Sequence, residues 1–99
     1  MREELTFCTY CSLDDTRQVV QTVTGTLLAP HESLYRGGDY FLGQSDLDGE
    51  IIVQRNEDLD ERAVDNDAPT VVYIGLTSRA DELIHALEVE LLQLVERRS

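Results

Sequence analysis

Apolar positions are dense from Leu5 to Tyr10, and in an extended chain successive side chains point to opposite sides. Leu5, Phe7 and Thr9 therefore share one side of an extended chain, with Thr6, Cys8 and Tyr10 on the other. The aromatic and β-branched content of this run predicts a strand. The period then lengthens. Leu13, Thr16, Val20, Val23 and Leu27 recur at spacings of three and four, the stripe of an amphipathic helix. Ser12 stands at the N-cap, where its hydroxyl can accept from the amide of Asp15, and Asp14 and Asp15 suit the positive end of the helix dipole. The β-branched run Thr22-Val23-Thr24 weakens the helix, and Gly25 is placed to end it.

Ala29-Pro30 opens a less regular segment, His31 to Asp39, that carries Gly37-Gly38. Tyr40 to Gln44 and Glu50 to Arg55 read as two strands of a hairpin, because Asp48-Gly49 between them is a tight-turn pair that tolerates positive φ. Glu57 to Ala68 is acidic and poor in apolar side chains, and reads as an exposed loop closed by Pro69. Thr70 to Leu76 is a near-continuous apolar run with strong β character, which predicts a central strand covered on both faces. Ser78 is placed to cap a long terminal helix. In that helix Ala80, Leu83, Ile84, Leu87, Leu91, Leu94 and Val95 form one stripe, and Arg97-Arg98 suit its negative end. The elements run β-α-β-β-β-α. An α+β two-layer sandwich buries every stripe, with a four-stranded mixed or antiparallel sheet and both helices on one face. The arrangement is similar to a ferredoxin-like sandwich, built as a single domain over residues 1–99.

Charge changes what such a domain can do. Twenty acidic residues face eight basic ones, all of them Arg, for a net charge of −12 in 99 residues. Such a body repels nucleic-acid phosphates and anionic membranes, so neither is expected as a direct partner. It attracts basic proteins, and it also suits a salt-adapted proteome. No stretch is apolar enough for a membrane span, and Met1-Arg2-Glu3-Glu4 begins no signal peptide; the expected location is cytoplasmic, with Cys8 and Cys11 reduced.

Several motifs suggest chemistry, and each is countered by its neighbours. Cys8-Thr9-Tyr10-Cys11 resembles a thioredoxin-like redox motif, but Asp14-Asp15 oppose a thiolate at the first Cys. The nitrogen donors His31 and His85 lie far apart, so no metal site is expected. Arg36-Gly37-Gly38-Asp39-Tyr40-Phe41 resembles the diguanylate cyclase signature, with Tyr40 where that family keeps its metal-binding acid. Asp46, Asp48 and Glu50 alternate like calcium ligands, but the glycine that a calcium loop requires is not in its place, so a hairpin turn with solvated carboxylates is expected. There is no Ser-His-Asp context and no phosphate-binding glycine loop. The expectation is a non-enzyme that takes no cofactor.

The remaining candidate is a binding face. Glu57, Asp58, Asp60, Glu61, Asp65 and Asp67 concentrate charge on one loop. Glu32, Tyr35, Asp39 and Tyr40 add carboxylates and aromatic anchors, which interfaces favour. In size, charge and architecture, around His31 to Leu42 and Glu57 to Asp67, the chain resembles small bacterial immunity proteins that neutralise toxins. That resemblance implies occlusion of a basic partner, a toxin or nuclease-like protein, with Tyr35 or Tyr40 filling an apolar recess. Three other readings stay open: a phage or mobile-element inhibitor that mimics nucleic-acid charge, a thiol oxidoreductase using Cys8 and Cys11, and a structural subunit. The last would form a homodimer through the C-terminal helix, along Ala86, Val89 and Leu92.

Overall fold

The cap predicted at Ser12 forms in the computed structural model, which describes residues 1–57 and 61–99. The Ser12 hydroxyl accepts from the Asp15 amide at 3.1 Å. Helix α1 runs Leu13–Thr24 and ends at Gly25 in the left-handed conformation. Strand β1, Glu3–Thr9, precedes it. After it come β2 (Ala29–Ser33), a single 3-10 turn (Leu34–Arg36), β3 (Gly38–Ser45), β4 (Gly49–Arg55), β5 (Thr70–Thr77), α2 (Ala80–Val89) and β6 (Gln93–Arg98).

The fold is α+β, but the sheet has six strands in the order β2-β3-β4-β5-β1-β6, with every neighbouring pair antiparallel. This overturns the four-stranded, ferredoxin-like expectation, and two segments account for it. The first is Ala29–Ser33, expected to be irregular. It pairs residue for residue with β3, from Ala29 opposite Leu42 to Ser33 opposite Gly38. It is largely exposed and holds Pro30, so it lacks the apolar alternation that marks a half-buried strand. Leu27, placed on the helix stripe, is exposed, and Leu28 is buried in its stead.

The second is the C-terminus. The long terminal helix stops at Val89. Its end is a Schellman closure, in which the Leu92 amide donates to Leu87 O at 3.0 Å and the Leu91 amide to Glu88 O at 3.1 Å. Leu91 takes the left-handed position with φ 71°, a place usually held by glycine. The apolar contact of the motif puts Leu92 in the core with Leu87, and the chain returns as β6 against β1. Arg97 then forks onto Glu3 at 2.7 Å and Asp81 at 2.8 Å. Ser78 is not the cap of α2. Arg79 holds that position without a side-chain cap, and its amide donates to Thr77 Oγ1.

Register explains the core. Phe7 and Val53 both lie opposite Val72, Leu5 and Ile51 both lie opposite Ile74, and Phe41 lies opposite Val53. These side chains share one face, against which Val20 of α1 and Leu83 and Leu87 of α2 pack. Both helices thus cover that face. The opposite face carries Cys8, Val71 and Gln54, in register and buried. The segment after β4 crosses back over it, with the Asn66 side-chain amide reaching Cys8 Sγ at 3.2 Å.

One polar cluster ties the far end of the sheet to both helices. Asp48, expected as a turn residue, has no exposed surface. Its Oδ1 accepts from Thr77 Oγ1 at 2.8 Å and Arg79 Nε at 3.0 Å, and its Oδ2 from Arg79 Nη2 at 2.6 Å. The same guanidinium nitrogen donates to Thr24 O at the end of α1. Burial alone would favour the neutral acid. The bonds from Arg79 and Thr77 outweigh it and hold the carboxyl below its ordinary value of 3.8. Among the described residues, no helix is long and apolar enough to cross a membrane.

Candidate partner-binding cleft

At the end of the sheet where β4 stops and β5 begins, a cleft of about 780 Å³ opens. One wall is the first turn of α1, with Ser12, Leu13 and Asp14. Another is the β2–β3 edge, with His31, Asp39 and Tyr40, and the third runs through Glu57, Arg62, Asn66 and Asp67 after β4. Strand pairing sets the edge: His31 lies opposite Tyr40, and their rings stack at 5.5 Å with an interplanar angle of 27°. Guanidinium groups back the aromatic rings, Arg36 at 5.6 Å from Tyr40 and Arg17 at 4.6 Å from Phe41. Arg36 also donates to Gln54 Oε1 at 2.9 Å, which fixes the 3-10 turn against β4.

Asn56 shapes the third wall. Its Nδ2 donates to Asn66 O at 3.0 Å and Ala68 O at 2.9 Å, while its Oδ1 accepts from the Val64 amide at 2.8 Å. Asn66 Oδ1 accepts in turn from the Ala68 amide at 3.0 Å. A loop with little apolar surface is thereby held in one shape by amide side chains that stand in for a strand ladder. Neither asparagine was expected to matter, although two amides ten residues apart, flanking an acidic loop, were the available signal.

Charge in the cleft is unevenly matched. Asp14, Asp39, Glu57 and Asp67 line it together with Arg55 and Arg62. Arg62 pairs with Asp67 at 3.1 Å, and Arg55 turns to the Asp39 carbonyl at 3.2 Å. The carboxylates of Asp14, Asp39 and Glu57 make no ion pair among the described residues. A mouth of this kind favours cations over anions.

Of the ten residues expected to bind a partner, Asp39, Tyr40, Glu57 and Asp67 meet in this cleft. Glu32 sits beside it on β2, opposite Asp39 and exposed, and Tyr35 stands 69% exposed on the 3-10 turn. Glu61 and Asp65 are exposed on the loop but do not line the cleft. Asp58 and Asp60 lie outside the described residues. Asp14, expected to complement the helix dipole and to oppose a thiolate at Cys8, joins the cleft. Cys8 is buried and Cys11 half-buried, and both are free thiols. Among the described residues no three His, Cys, Asp or Glu side chains cluster as a metal site. Ala86, Val89 and Leu92 do not form a strip: Val89 is exposed at the helix end, whereas Leu92 is in the core. No protein-family model matches this chain, and neither curated proteins nor solved structures yield a similar one.

Proposed function

We propose that this protein binds a basic protein and occludes its working surface, in the manner of an immunity or inhibitor protein. The observation that carries the reading is convergence. Carboxylates from three separate stretches of chain (Asp14, Asp39 and Glu57) share one cleft mouth without ion-pair partners among the described residues. They gain most from an incoming Arg or Lys, since among the described residues none of them gives up an ion pair. Tyr35 and Tyr40 supply ring area beside them at small entropic cost. The net charge of −12 steers a basic partner toward the same mouth from a distance.

The test is capture from a lysate of the source organism at low and high salt, followed by kinetics with the isolated partner. Wild type is compared with the triple variant Asp14→Asn/Asp39→Asn/Glu57→Gln. The reading expects a basic protein whose association slows at least about tenfold in the variant, with a flatter salt dependence. Equal association rates, or a partner that is not basic, would remove the cleft from the function.

A further inference from the structure

We infer that residues 61–69 form a strap that opens as its own unit, latched by Asn56, and that the Cys8 thiol beneath it is uncovered when the strap lifts. The strap meets the sheet differently from the rest of the molecule. The helix-side face is joined by large side chains, among them Phe7, Leu83 and Leu87, each at most 1% exposed. The strap brings only Ala63, Val64, Ala68 and Pro69 as apolar groups, of which Ala68 alone is buried. Its attachment is polar. The Asn56 side chain binds three strap backbone groups, and the Asn56 backbone amide donates to Pro69 O at 2.8 Å. Asn66 adds a bond to Cys8 Sγ.

A segment held, among the described residues, mainly by amide bonds and little apolar area opens at a fraction of the global unfolding free energy. What it leaves behind is a sheet face still paired strand to strand. Cys8 lies opposite Val71 on one side and Gln93 on the other, so β1 stays in place while its thiol meets solvent. Cys8 is 2% exposed when the strap is down. The strap also carries Arg62, Asn66 and Asp67 of the cleft wall, so its opening dismantles the cleft on that side.

The experiment reads thiol labelling by 5,5′-dithiobis(2-nitrobenzoate) on the intact protein, with peptide mapping to separate Cys8 from Cys11. In wild type, Cys8 labelling in water is expected to outrun global unfolding, and its rate to stay flat across low urea, because strap opening exposes little surface. Asn66→Ala, which removes only two side-chain bonds, is expected to speed Cys8 labelling by about tenfold and to leave Cys11 unchanged. Asn56→Ala is expected to exceed it. If Cys8 labels at the rate of global unfolding in wild type, with the full urea dependence, the strap does not open separately and the inference is wrong. The wild-type measurement decides the matter even if the Asn56 variant fails to fold. The outcome is independent of any partner, so it stands or falls apart from the binding function.

Discussion

Replacing Asp48 by asparagine removes one buried charge with almost no change in volume, and the geometry sets the cost. The substituted side chain could still accept at Oδ1 from Thr77 and Arg79 Nε, but its amide nitrogen would face Arg79 Nη2, where the Asp48 Oδ2 accepts at 2.6 Å. Breaking a buried ion pair from one side costs about 3–5 kcal/mol. The Arg79 side chain is 24% exposed and retains Glu82 at 3.3 Å, so water and that carboxylate offset part of the loss. The expected cost is about 2–3 kcal/mol, a large share of the roughly 5–15 kcal/mol that holds a domain together. Urea unfolding followed by far-UV circular dichroism should show the midpoint lower by about 1–2 M, and the thermal midpoint lower by roughly 10–20 °C. Arg79→Met should lower stability too, and the double variant should lose less than the sum. The acid limb supplies the sign. The folded carboxyl titrates below 3.8, so its stabilisation is complete above the unfolded value and disappears as pH falls through the folded one. The gap between wild type and Asp48→Asn should therefore close in acid. A neutral-pH difference under about 0.5 kcal/mol, or a gap that persists below both values, would refute the assignment of Asp48 as the staple.

Two further outcomes rest on the backbone. Leu91→Gly should raise stability by about 1 kcal/mol, because the side chain is 77% exposed and its main structural effect is left-handed strain; differential scanning calorimetry should show a rise of about 4–8 °C. Gly49→Ala and Gly25→Ala should separate two costs. Both glycines have positive φ, but a Cβ at Gly25 meets open space, whereas one at Gly49 would overlap the Gly75 carbonyl. Gly25→Ala should cost about 1 kcal/mol and Gly49→Ala at least twice that by urea titration; similar losses would mean the strands part freely at Gly75.

What could be read from sequence is what local chemistry decides alone. Ser12 and Gly25 bracket α1 by hydrogen bonding and conformational freedom, and Asp48-Gly49 turns the hairpin for the same reasons. Thr70 to Leu76 is apolar on both faces because β5 is internal, between β4 and β1. The errors are edge strands. An edge strand such as β2 can be largely exposed and hold Pro30, since one side of its backbone needs no partner. At the other edge Leu91 and Leu94 sit at helical spacing from Leu87. The helix nevertheless ends, because Leu91 enters the left-handed region without glycine and no local signal announces it. The cleft was half legible. Asp39, Tyr40, Glu57 and Asp67 stood out by type, while Asp14 and the organising Asn56 depend on which segments the sheet brings to one end.

Those same edges determine whether copies of the chain pair with one another. A free strand edge is a template for a second sheet, and among the described residues this sheet ends in two strands, β2 and β6. On β2 the template is interrupted by Pro30, which has no amide hydrogen to offer. On β6 the register slips between Thr6 and Phe7, leaving Val95 as an extra, 42% exposed residue that breaks the outer ladder. A net charge of −12 adds repulsion, but at 1 M salt the screening length falls to about 3 Å and that barrier is gone. Sedimentation velocity at low and at 1 M salt therefore separates the two causes. A monomer at both salts means that Pro30 and the β6 bulge suffice, which is the expected outcome. A dimer that forms only at high salt would mean that the edges are competent and charge alone keeps them apart. In that case Pro30→Val should strengthen the dimer if β2 is the edge that pairs, and leave it unchanged if β6 is.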